Sequence, residues 1–270
     1  MKRHISRYGW TAWRALFERG MRIDASRAII VLGFPRSGTS AVSRLVHAAG
    51  VSFGDMNRMR PSDHRNPEGF LERRDVNGVD ASLLWEAGHK SALAYDMTHE
   101  LRAYGFFNRV RRLFTRRRML RVLSDLSRTQ GLWGMKSFPL QFHIWNQYLP
   151  KARIVAVYRD PVTNAASLVE TFKRVTFTQA LNEWTNHNQE LLYHLSRHEH
   201  VLVSQEALQN SETRRAEVEK IVGFLGCGDV DALSAMMENK QPRRAPALMQ
   251  DELPAQTRRV WEALERAHRA

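Results

Sequence analysis

An unbroken apolar run, Ala28-Ile-Ile-Val-Leu-Gly-Phe, passes straight into Pro35-Arg-Ser-Gly-Thr-Ser40. Rich in β-branched residues and free of polar alternation, the run predicts a strand buried on both faces, as in parallel sheets covered by helices. Beyond it Val42, Leu45, Val46 and Ala49 share one helical face, and Gly50 supplies a stop. Strand, glycine-containing turn and helix N-terminus therefore follow one another directly. Such a turn aims several backbone N–H groups at one point, where the helix dipole also favours negative charge. Arg36, Ser37, Thr39 and Ser40 add a cation and hydroxyl donors, which makes the turn an anion cradle.

The pattern recurs downstream. Arg153-Ile-Val-Ala-Val-Tyr-Arg reads as a second buried strand, and Asp160-Pro161 supplies an N-cap and an N1 proline for a helix running toward Phe172. Leu132–Lys136 and His200–Ser204 are weaker strand candidates. Val218, Ile221, Val222 and Leu225 stand at helical spacing before Gly226. Strands alternating with helices predict an α/β fold with a mainly parallel central sheet flanked by helices. No repeat or low-complexity linker divides residues 1–270, so one domain is expected. Its N-terminal part, 1–27, is expected to carry a peripheral amphipathic helix, built from Ile5, Tyr8, Ala12, Trp13, Leu16 and Phe17. Packing on the domain and contact with a membrane surface or partner both suit such a stripe. Residues 55–130 are expected to form a largely helical cover, in which seven arginines between Arg109 and Arg121 read as a solvated face.

Charge narrows the ligand. The chain has 41 Lys+Arg against 28 Asp+Glu, a net +13, and 34 of the 41 are arginine. Guanidinium forks suit phosphate, sulfate and carboxylate, and a field of this sign attracts anionic ligands generally. No nucleic-acid-binding motif is present, and no nucleic acid partner is expected. The single cysteine, Cys227, allows no internal disulfide, and no apolar run is long enough to cross a bilayer; a cytoplasmic location is expected. No CxxC or HExxH occurs. His194 and His198 stand at i, i+4, with His200 nearby, but no carboxylate or thiol completes the set convincingly. They are expected to be plain surface histidines, and no metal is expected.

The loop distinguishes among phosphate binders. Against the nucleotide-triphosphatase pattern GxxxxGK[ST], Gly33 and Gly38 match, but Thr39 replaces the lysine that holds the β- and γ-phosphates. This disfavours a nucleotide or small-molecule kinase, one of two rival readings. The other is a non-catalytic binder of acidic polymers. The loop instead resembles that of the sulfotransferases that use 3′-phosphoadenosine 5′-phosphosulfate (PAPS), in the branch whose phosphosulfate loop reads PRSGT. Three further stretches carry the resemblance. Arg159-Asp-Pro161 with Ser167 reproduces the family's 3′-phosphate motif, Trp133-Gly-Met-Lys-Ser-Phe-Pro139 its strand-end lysine, and Asn66-Pro-Glu-Gly-Phe-Leu-Glu72 its N-P-x-G-[FY]-x-E segment.

The resemblance implies a fold like that of P-loop kinases. It implies that Pro35, Arg36, Ser37, Gly38, Thr39 and Ser40 hold the 5′-phosphosulfate, and that Arg159 and Ser167 hold the 3′-phosphate. Lys136, with Arg36, would stabilise charge on the departing phosphate. Glu72 is the first candidate for the base that takes the acceptor's proton, with His64, Asp75, Glu68 and Asp55 as rivals. PAPS would be donor and PAP product. The acceptor would be a hydroxyl or amine, a glycan among the candidates.

Overall fold

A computed structural model describes residues 23–63, 69–86, 106–238 and 253–270, with side chains in 83–86 and 106–113 left aside. The N-terminal stripe expected in residues 1–22 lies outside them, as do His64 and Glu68. Strand β1 (Ala28–Leu32) leads into α1 (Thr39–Ala48); α2 (Arg74–Glu86) and α3 (Phe106–Ser127) follow. Next come β2 (Trp133–Ser137), α4 (Pro139–Asn146), β3 (Arg153–Tyr158), α5 (Pro161–Thr171) and α6 (Phe177–Leu195). Strand β4 (His200–Ser204), α7 (Gln205–Gln209), α8 (Arg214–Leu225), α9 (Val230–Ala235) and α10 (Ala255–Arg269) complete the described elements. Residues 55–63 and 69–73 contain no α-helix: a short turn at Met56–Arg58 and left-handed backbone at Gly69 and Leu71 interrupt them. None of the described helices is long and apolar enough to cross a membrane.

All strand pairs are parallel, in the order β2-β1-β3-β4. Helices cover both faces of this α/β sheet. Ile30 and Leu32 face one core layer with Trp133, Phe142, Trp145, Tyr158 and Trp184. Ile29 and Val31 face the other, packed by Val42, Leu45, Val46, Val218 and Ile221. Two buried faces explain why β1 shows no polar alternation. Fully burying each of its four large side chains is worth about 1.5–3 kcal/mol. Their sum rivals a domain's entire net stability, so β1 belongs at the centre.

Parallel strands place all their carboxyl ends on one edge, and the order reverses between β1 and β3. Ligands in open α/β sheets bind at that crevice. The Pro35–Ser40 loop leaves β1 there and Arg159 leaves β3. Asp160 caps α5 as the sequence predicts, its Oδ1 accepting from the Thr163 N–H at 2.7 Å with Pro161 at N1. Helix α6, which sequence periodicity does not reveal, opens with a capping box. Thr176 Oγ1 accepts from the Gln179 N–H, and Gln179 Oε1 from the Thr176 N–H.

Candidate active site

The loop is shaped by two left-handed residues, Arg36 at φ 70° and Gly38 at φ 89°. Glycine is required at 38 for space as well as angle: a Cβ there would lie 1.7 Å from the buried Gln205 Oε1. At Gly33 a Cβ would meet the Val157 carbonyl oxygen at 2.5 Å and the Thr39 methyl at 2.8 Å. Thr39 is therefore folded back beneath the turn and 4% exposed. The Ser37 N–H donates to the Phe34 carbonyl, and Asn164 Nδ2 donates to Ser37 Oγ at 2.8 Å, both within the buried floor.

The two arginines of the sequence reading meet. Arg36 Nε donates to Ser167 Oγ at 3.2 Å, and Arg159 Nη1 donates to the Arg36 carbonyl at 3.1 Å. Trp184 Nε1 in turn donates to the Arg159 carbonyl at 3.1 Å. Residues 36, 159 and 167 thus line one continuous surface. Glu206 Oε1 stands 3.7 Å from Arg159 Nε on the other side. Beyond it opens a cleft of about 700 Å³ lined by Tyr158, Asp160, Thr163, Glu206, Trp261 and Glu265 among others. Its three carboxylates, Asp160, Glu206 and Glu265, outnumber its one arginine, Arg269, which disfavours an anion there.

On the other flank Lys136 arrives from β2, whose register pairs it with Val31 of β1. Its Nζ donates to Ser40 Oγ at 2.9 Å and to Glu72 Oε1 at 2.7 Å. The cation missing at position 39 is thus supplied from the neighbouring strand. Glu72 is oriented by its own local chain. Leu71 is buried at φ 46°, and Glu72's carbonyl accepts from the Arg60 N–H. Its second oxygen, Oε2, accepts from Arg60 Nη1 at 3.3 Å and Asn77 Nδ2 at 3.4 Å. Sequence reading missed Arg60, Asn77 and Gln205, because nothing local marks them; each matters through a contact made in space. Burial favours the neutral form of Glu72, but Lys136 and then Arg60 outweigh it and hold the carboxyl below its usual range. Burial pushes the Lys136 ammonium down; Glu72 opposes that, while Arg44 and Arg60 add to it.

Glu72 is the only one of the base candidates within the described residues that touches Lys136. Asp75 is committed to Arg73 by two bonds of 3.0 and 2.7 Å, and Asp55 is an exposed cap on the Asn57 N–H. Deeper in, Asp80 is 8% exposed and accepts from Trp145 Nε1 at 2.8 Å. Burial, opposed by Trp145 and assisted by Glu72's charge, pushes its carboxyl up to about 7. A folded-state value raised above the unfolded one gives stability that is full below about pH 4 and is lost as pH rises through about 7. Asp80→Asn should therefore flatten the decline in unfolding free energy, measured by urea titration, between pH 5 and pH 8, by about 2–3 kcal/mol. An equal decline in both proteins would sink that assignment.

Among solved structures, the chain is similar to the sulfotransferase domain of an olefin synthase from Synechococcus PCC 7002, at 14% identity over 88% of this chain and 94% of that one, TM-score 0.45. The sulfotransferase STF9 from Mycobacterium avium matches at 14% identity over 96% and 78%, TM-score 0.44. A retinol dehydratase solved with retinol and PAP matches at 14% over 81% and 65%, TM-score 0.39. No curated protein matches the chain in sequence. The family profile described as the sulfotransferase family matches residues 28–231, a span that contains the loop, Glu72, Lys136, Arg159 and Ser167. On that match over most of its length, the chain belongs to the sulfotransferase family.

Proposed function

We propose that the chain transfers a sulfuryl group from PAPS to a hydroxyl or amine acceptor. The observation that carries this is the meeting of Arg36, Ser167 and Arg159 on one side of the loop, with Lys136 and Glu72 on the other. The donor set fits a doubly phosphorylated nucleotide: two guanidiniums, one ammonium and the hydroxyls of Ser40 and Ser167. The donor, when bound, supplies the activated sulfuryl group. Residues 35–40 would hold its 5′ end, and Arg159 with Ser167 its 3′-phosphate. Glu72 Oε1 would receive the acceptor's proton, and Lys136 would place positive charge where the leaving phosphate gains negative charge. An acidic glycan is one acceptor that the chain's arginine excess suits.

Thermal-shift measurements with adenosine 3′,5′-bisphosphate beside ATP and AMP test the donor. Stabilisation by the bisphosphate alone is expected, and equal stabilisation by ATP would return the chain to the kinase reading. Arg159→Ala and Ser167→Ala should each weaken bisphosphate binding about ten- to a hundredfold, the loss of a charged contact. Arg159→Ala also frees the Arg36 carbonyl, so Ser167→Ala is the cleaner test of the 3′-phosphate. Unchanged affinity in both variants would move that phosphate elsewhere.

A further inference from the structure

We propose that His143, Glu190 and His194 form a binding site for a divalent transition-metal ion, zinc by its donor set, between α4 and α6. Their ligand atoms all lie within 4.8 Å of one another, the only such cluster of three among the described residues. The expectation that His194 is a plain surface residue is corrected: it is fully buried, on the inner face of α6. The fold gathers a carboxylate from the same helix and a second imidazole from its neighbour beside it. Glu190 lies one helical turn before His194, and His143 approaches from α4.

The tautomer of His194 is settled by its partner. A carbonyl can only accept, so Nε2 donates to the Pro139 carbonyl at 3.0 Å and Nδ1 keeps its lone pair. That Nδ1 is buried and has no hydrogen-bond partner among the described residues, a costly state that a metal ion would relieve. A ring that donates one nitrogen to a backbone carbonyl and offers the other to the ion is the usual arrangement of a ligating histidine. His143 Nε2 and Glu190 Oε2 face each other at 2.5 Å, with side chains 29% and 31% exposed. They give an ion a way in from solvent. Zinc bonds of about 2.0–2.2 Å place tetrahedral ligand atoms about 3.4 Å apart. The half-exposed pair would part by that amount around the ion. The fully buried ring of Phe142 lies 4.9 Å from His194 and closes the inner side. His198 is engaged with the Ala152 carbonyl and stays outside the set.

Two histidines and one carboxylate leave a fourth position for water. The ion would tie α4, which begins directly after the strand carrying Lys136, to α6, whose Trp184 holds the Arg159 carbonyl. It is therefore a clamp behind the site, separate from the transfer chemistry. The experiment uses the full chain freed of metal by a chelator. Zinc chloride should raise Tm by about 5 °C, and cobalt(II) should give visible d–d absorption at one equivalent. His143→Ala, a change at a half-exposed side chain, should abolish both responses, and Glu190→Gln should weaken both. No Tm shift with zinc and no cobalt spectrum would overturn the proposal. Equal responses in His143→Ala would also overturn it, by placing the metal at other side chains.

Discussion

Glu72→Gln should slow turnover by roughly 10²–10⁴ while leaving affinity for adenosine 3′,5′-bisphosphate nearly unchanged. The amide keeps the shape of the carboxylate and an oxygen to accept from Lys136, so what is lost is the charge and the ability to take a proton. Loss of charge has a second consequence. Lys136 is buried and would lose its anionic partner while Arg44 and Arg60 stay nearby, and breaking a buried pair from one side costs about 3–5 kcal/mol. A melting curve must accompany the kinetics, because a folded fraction below one mimics slow turnover. The pH profile separates the two. A base must be ionised to take a proton, and the Glu72 carboxyl is held below the usual range. The acid limb of kcat/KM should therefore fall below about pH 4.5 in the native protein and vanish in the variant. Its stabilising ion pair follows the same sign: present above the unfolded-state value and lost as pH falls through the folded one. Near-normal turnover in a folded Glu72→Gln protein would transfer the base role to Asp75 or to a residue in 64–68.

Lys136→Met is expected to cost about 10²–10³ in kcat, the scale on which a single positioned electrostatic group acts. Its Nζ bridges Ser40 and Glu72, so the substitution removes the cation that the loop itself lacks at Thr39. Arginine should not rescue it, because a planar fork does not fit a buried site shaped for a point charge. The substitution also has a distinguishing readout. Without Lys136, burial acts on Glu72 against Arg60 alone, and its carboxyl must move up. The acid limb should shift to higher pH, a change that a merely structural role for Lys136 would not produce. An unshifted limb with reduced kcat would leave Lys136 a leaving-group cation but deny its pairing with Glu72 during turnover.

Much of the fold was legible because the interactions that determine it are local. The β1 run, the glycines at 33 and 38, the Asp160-Pro161 cap and the Gly50 and Gly226 stops act over a few residues, and each sits where periodicity and backbone angles demand. The long helix α6 escaped notice for a physical reason. Its buried face carries Thr185, His187, Asn188 and His194 beside Ala180, Leu181, Trp184, Leu191 and Leu195, so polar residues stand where an apolar stripe is sought. Two of those polar groups find partners on other elements, Thr257 for Thr185 and the Pro139 carbonyl for His194.

The candidate site divides along the same line. That Arg36, Lys136 and Arg159 follow or end strands could be read from the order of the residues alone. Only the folded chain decides that Lys136 reaches both Ser40 and Glu72, that Arg36 meets Ser167, and that Glu190 lies beside His143. Those partners are separated by 96, 64, 131 and 47 residues. Sheet register and helix packing create these contacts, and neither is encoded within any short stretch of sequence.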